Sequence, residues 1–337
     1  VAALMAKRRR REPEFTSYYG RPIIKAPVWE ELDIGGYLFA GGLAGASSLI
    51  AAGAEFTGRP VMARVSKLGA SAAISVSLLA LIHDLGRPAR FLNMLRVFKP
   101  SSPMSVGVWI LFVYGPLCFV AAASEVTGIA PRSGRAAGAG AGVLGTAVAS
   151  YTAALIADTA VPAWHEGFRE LPFLFVGSAA AAGSGLALIG APVGETVPVR
   201  RLAVCGAGAE LIAERLMEKR LGVVAETLED GAAGRKIRAA KALTLCGGLG
   251  AGVLAGRSRA GAALAGAALV AGSLCVRLGI FEAGMASAED PKYTVIPQRE
   301  RLAAREAAAA EAARAGAGEA AGEAAGESAR EGVGEAG

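Results

Sequence analysis

Few residues in this chain are suited to chemistry, and most of them cluster at one level. There are two histidines in 337 residues. His83 and Asp84 stand together, Asp33 and Tyr37 are one helical turn apart, and Tyr151 is two turns before Asp158 on one face. Carboxylates, an imidazole and tyrosines gathered at one boundary suit quinone chemistry. Reducing or oxidising a quinone moves two protons with two electrons, so its carbonyl oxygens need hydrogen-bond donors and a titratable group in touch with water. His83 fits the donor role, because imidazole titrates near neutrality. The structural alternative is that Asp84 caps a turn and pairs with Arg87, while Asp158 caps a helix end.

A second set is more isolated: Lys67, Glu210, Glu214 and Arg277. Glu210 and Glu214 are one turn apart, and either relay protons or pair with Arg277 as a buried ion pair. The sequence leaves that choice open. Haem is a weak reading, with His83 and the loop residue His165 as the only imidazoles. Cys118, Cys205, Cys246 and Cys275 are singletons without C-x-x-C spacing, so no iron–sulfur cluster or other metal centre is expected. Electrons must then come from, or go to, a partner.

The elements that position these residues are membrane helices. The chain is 53% hydrophobic and 19% charged, against about 25% charged in ordinary soluble domains. A bilayer core needs roughly 20 helical residues. Stretches 34–54, 101–124, 136–157 and 171–194 meet that length without a charge, and 68–82, 242–256 and 260–276 approach it. The stretch 197–217 is the weakest, since it contains Glu210 and Glu214. The expected fold is an all-α polytopic membrane protein of eight transmembrane helices, a four-helix bundle followed by a second four-helix half. The divisions are a basic segment 1–31, a first bundle 32–158, a second half 159–282, a segment 283–302, and an Ala/Glu/Gly-rich tail 303–337 read as disordered. The basic run Lys7–Arg11 is not followed by an apolar core, so the first span is expected to act as its own insertion signal. Glycines four residues apart, at 41 and 45, at 134, 138 and 142, and at 248, 252 and 256, let helix backbones approach closely.

Lysines and arginines near span ends are about twice as numerous on the side holding both termini, which makes that side cytoplasmic. The net charge of +6 is therefore a topology signal, and nucleic-acid binding is the poorer explanation.

Several segments, in order, resemble the NrfD/polysulfide reductase membrane subunit family. They are Tyr18-Tyr19-Gly20-Arg21-Pro22, Pro27-Val28-Trp29-Glu30, the stretch 37–46, and His83-Asp84-Leu85-Gly86-Arg87-Pro88 with Arg90-Phe91. Pro103-Met104-Ser105-Val106-Gly107, Tyr151-Thr152, and the run from Asp158 to Trp164 complete them. The resemblance implies a quinone, menaquinone or ubiquinone, held in the first bundle as the sole cofactor. It also implies a four-cluster ferredoxin-like iron–sulfur subunit docked over that site, and a catalytic subunit that is often molybdopterin-dependent. Carried over by position, the quinone-site residues are Asp33, Tyr37, His83, Asp84, Tyr151 and Asp158, with Trp29 and Trp164 as lid or wall. The chain would then carry the quinone half-reaction of an oxidoreductase complex in the cytoplasmic membrane. In the best-described relatives the iron–sulfur partner lies outside the membrane, whereas the charge count here favours a cytoplasmic one. Arg87, Arg90, Arg96 and Lys99 would then form its docking surface. Two other functions compete: a secondary ion or solute transporter using Glu210, Glu214 and Lys67, and a passive anchor for the iron–sulfur subunit.

Overall fold

A computed structural model describes residues 23–87 and 89–312. The motif Tyr18–Pro22 and the greater part of the tail, 313–337, therefore lie outside the described residues, as does Pro88. The chain divides into two units, and Pro22–Asp290 contains every candidate residue.

Eleven α-helices make up this unit among the described residues. A π-helical turn, Glu31–Gly35, leads into α1 (Gly36–Phe56). Then come α2 (Pro60–Asp84), short α3 (Arg90–Met94), α4 (Pro103–Thr127), α5 (Pro131–Ala157) and short α6 (Pro162–Glu166). The second half holds α7 (Leu171–Gly190), α8 (Val197–Leu221), short α9 (Glu226–Glu229), α10 (Gly231–Val253) and α11 (Arg259–Glu289). Local chemistry sets the ends. Prolines open α2, α4, α5 and α6, where the missing N–H costs nothing. Ser258 caps α11 by accepting from Gly261 N at 2.9 Å.

The protein is an all-α, multi-pass membrane protein. Among the described residues, six helices are long and apolar enough to cross a bilayer: Glu31–Phe56, Pro60–Asp84, Pro103–Thr127, Pro131–Ala157, Leu171–Gly190 and Arg259–Glu289. The other two expected spans form long helices, α8 with 25 residues and α10 with 23. They fall short in apolarity, because α8 carries Glu210, Glu214, Arg215 and Glu218, and α10 carries Arg235, Lys236, Arg238 and Lys241. The last span runs on to Glu289, past the expected boundary at 282. Residues 292–312, in the other unit, are helical. The stretch 303–312, expected to be disordered, is thus an exposed helix.

α1 and α7 are the central helices. α1 packs against α2, α5 and α7, while α7 packs against α8 and α11. Backbones touch where glycines face each other. A Cβ on Gly45 would run into the carbonyl of Gly145, and one on Gly145 into that of Gly45. Gly185 and Gly266 make the same reciprocal contact between α7 and α11. Large exposed side chains such as Leu79, Phe112, Val143, Phe173 and Leu264 cover the outside of these helices, as lipid-facing surfaces require.

Candidate functional site

Within the first four long helices lies a cavity of about 110 Å³. Ile34 and Tyr37 of the α1 region line it, with Leu81, Asp84 and Leu85 at the end of α2. Met94 of α3, Met104, Val108 and Leu111 of α4, and Tyr151, Leu155 and Ile156 of α5 complete the walls with Trp29. Its polar side chains are therefore two phenols, one carboxylate and the Trp29 indole, against an otherwise apolar lining. Tyr151 is admitted by Gly107, since any Cβ there would strike its ring.

The segment just before α1 forms a strap over this end. Trp29 stacks on Trp164 with centroids 5.8 Å apart. The Glu30 backbone N–H donates to Asp84 Oδ1 at 3.3 Å. Asp33, on the π-helical turn, meets His83 Nδ1 at 2.7 Å. Lys236 of α10 reaches both Glu31 and Glu282, the latter at 2.7 Å. Thus the strap is fixed by α2, α6, α10 and α11.

Of the eight residues expected at a quinone site, Trp29, Tyr37, Asp84 and Tyr151 line the cavity. Asp33 and His83 form the ion pair next to it in the chain. His83 leaves 75% of its side chain exposed, so it faces outward rather than into the cavity. Trp164 is fully buried behind Trp29 and donates to Ile280 O at 2.8 Å. Asp158 is the outlier. It follows the last turn of α5 as an exposed C-cap residue and is absent from the lining. Asp84 also departs from the capping alternative, because its partner is the strap backbone and no ion pair to Arg87 forms.

The isolated ionisable residues find other partners than expected. Lys67 bridges Glu55 and Glu125, each at 3.0 Å, two carboxylates that sequence reasoning passed over at span ends. Of the two alternatives for Glu210 and Glu214, a direct ion pair to Arg277 is not formed. Arg277, fully buried, instead donates to Phe175 O at 2.6 Å and stands 3.6 Å over the Phe175 ring. Glu210 accepts from Thr244 at 2.8 Å, and Glu214 lies 3.7 Å from Lys241. Four buried atoms here have no hydrogen-bond partner: Glu210 Oε2, Glu214 Oε1, and Nε and Nη1 of Arg277. His165 lies on α6 rather than in a loop. Among the described residues, no group of three His, Cys, Asp or Glu side chains is arranged for a metal ion.

Arg87, Arg90, Arg96 and Lys99 are all exposed on the connection between α2 and α4. Their neighbours Leu92, Val97 and Phe98 are exposed as well. Trp109 Nε1, donating to Val97 O at 3.3 Å, ties this connection to α4.

A family model described as Polysulphide reductase, NrfD, matches residues 24–193, half of the chain. The chain belongs to this family. No curated protein matches it. The matched NrfD region runs from the strap to the end of α7, and so contains every residue lining the cavity. Glu210, Glu214 and Arg277 lie beyond it. Leu85 and Met104 of the lining fall within the family motifs, but Leu81, Leu111 and Leu155 carried no signal in the sequence of this NrfD protein, since in a membrane helix they look like any lipid-facing residue.

Proposed function

We propose that this NrfD-family protein is the quinone-reactive membrane subunit of a respiratory oxidoreductase complex, and that the cavity holds the quinone head. The observation that carries the reading is the lining itself: two tyrosines and a carboxylate in an apolar chamber roofed by Trp29. At about 110 Å³ the chamber is smaller than the hydrocarbon-lined cavity of about 150 Å³ that admits benzene, so a quinone ring enters only as wall side chains shift. A fused two-ring head needs Met94 or Met104 to move, which their flexible side chains permit. A quinone, when bound, supplies a two-electron carrier with two carbonyl oxygens.

The chain's own residues do the rest. Tyr37 and Tyr151 donate hydrogen bonds, and Asp84 holds or gives up a proton at the cavity wall. The exposed His83–Asp33 pair connects that wall to water. Since no metal or other redox centre is expected in the chain, electrons pass through a partner iron–sulfur subunit docked on the strap side. Arg87, Arg90, Arg96 and Lys99 are its docking surface. The full reading has eight spans, α8 and α10 included, with both termini in the cytoplasm. The unpartnered atoms of Glu210, Glu214 and Arg277 favour a second role for the other half, a hydrated proton relay.

Photo-crosslinking tests the site. An azido-quinone is expected to label peptides containing Trp29, Leu81 to Leu85 and Met104, and excess unlabelled quinone to suppress it. Labelling spread over lipid-facing helices, or unaffected by competition, would overturn the assignment.

A further inference from the structure

The second half carries a groove that the quinone reading does not use. It runs between α8 and α10 as two adjoining hollows, of about 460 and 300 Å³, which share Leu211 and Leu245. One end is charged, with Arg215, Arg238 and Lys241 beside Glu214 and Glu218. The other end is apolar, lined by Val204, Ala207, Gly208, Leu249 and Val253. Glu218 is committed to Lys241, whose ammonium is 2.6 Å away, while buried Glu214 stands 3.7 Å from the same ammonium. That leaves the guanidinium groups. Arg215 makes only a loose 3.7 Å contact with Glu218 and keeps 72% of its side chain exposed. Exposed Arg238 donates to the Glu229 backbone carbonyl and has no carboxylate partner among the described residues.

We propose that this groove binds an anionic glycerophospholipid, its phosphate between Arg215 and Arg238 and an acyl chain along Leu211, Leu245, Leu249 and Val253. Charge selects the head end, because basic clusters between membrane helices hold lipid phosphates. Length selects the chain: from Arg215 to Val204, α8 rises about 16 Å, against about 15 Å for half a hydrocarbon core. The apolar residues recur at four-residue spacing on α10, and 52% of Leu245, 62% of Leu249 and 55% of Val253 is exposed, so this face meets lipid tails along its length. Glycine 208 leaves the channel open, since a Cβ there would meet nothing within 4 Å. A bound lipid would seal α8 to α10, the two helices whose charges make them poor spans by themselves.

The test uses the full chain, purified in mild detergent and examined by native mass spectrometry after addition of phosphatidylglycerol or phosphatidylcholine. Wild type is expected to retain phosphatidylglycerol and to shed phosphatidylcholine. Gly208→Phe fills the apolar end, and Arg215→Ala/Arg238→Ala removes the head contacts. Each should cut retention about tenfold or more, by two unrelated routes. Because Gly208 has open space around it, that variant decides the matter even if the double change unfolds the protein. Equal retention of the two lipids, or retention unchanged in Gly208→Phe, would overturn the proposal. So would a dimer that Gly208→Phe dissociates while the lipid count stays the same, since the occupant would then be a second copy of this chain.

Discussion

Asp84 and Asp158 look alike in the sequence, each closing a membrane helix, yet only Asp84 borders the cavity. The two should therefore respond differently to substitution. Asp84→Asn keeps an acceptor for the Glu30 N–H but removes the proton acceptor. It should lower quinol turnover by about tenfold or more, the scale for losing an acid–base group, while leaving quinone affinity within about threefold. Asp158→Asn should leave both within about twofold, because an exposed cap residue makes small contributions. Steady-state turnover with the intact complex checks the pair, and equal losses would contradict the assignment. Asp33, Tyr37, His83 and Tyr151 were legible because ionisable and phenolic groups at a membrane boundary need a reason. The helical count from Tyr151 put Asp158 on the same face, yet Asp158 is an exposed residue at the end of α5 and does not reach the cavity that Tyr151 lines. The Asp33–His83 contact joins residues 50 apart in sequence. No local spacing announces it.

Helix packing follows the glycines, and here the sequence was half legible. Four-residue spacing marked Gly45 as a close-approach position, but its partner Gly145 belongs to no such series and appears only when α1 and α5 are brought together. Gly45→Val must push the two backbones apart. Overpacking typically costs about 1–3 kcal/mol, so the variant should unfold at a lower temperature in detergent. Gly53→Ala, with nothing within 4 Å of its Cβ, should melt at or slightly above wild type. Equal melting of all three proteins would refute the packing argument. Gly107→Ala is a finer probe. Its methyl group would displace the Tyr151 ring, so quinone affinity should fall while the melting temperature changes little.

At the scale of the whole molecule, the positive-inside count and the cavity make one joint prediction. The strap, His83 and the connection bearing Lys99 should face the cytoplasm, with Arg132 opposite. A membrane-impermeant maleimide applied to whole cells should therefore modify Arg132→Cys and spare Lys99→Cys; the reverse pattern would invert the topology. The same basic connection should dock the proposed iron–sulfur subunit less tightly as salt rises, since exposed charges are screened within about 8 Å at physiological ionic strength. Fold class was readable from apolar runs alone. What was not readable is how the charges on α8 and α10 are paired. Glu218–Lys241 and Glu31–Lys236 join residues on different elements.

In the proposed function, the first four-helix half holds a quinone head against Trp29 and Tyr151. Titration of the purified protein in lipid nanodiscs with a quinol-site inhibitor, followed by tryptophan emission, tests it most directly. The chain has only three tryptophans, and Trp29 alone lines the cavity. Saturable quenching is expected in wild type. Tyr151→Phe should weaken it about tenfold, the cost of one hydrogen bond. Trp29→Phe should lose most of the quench while equilibrium dialysis still detects binding. Unsaturable quenching, or quenching indifferent to Tyr151 and Trp29, would contradict the account.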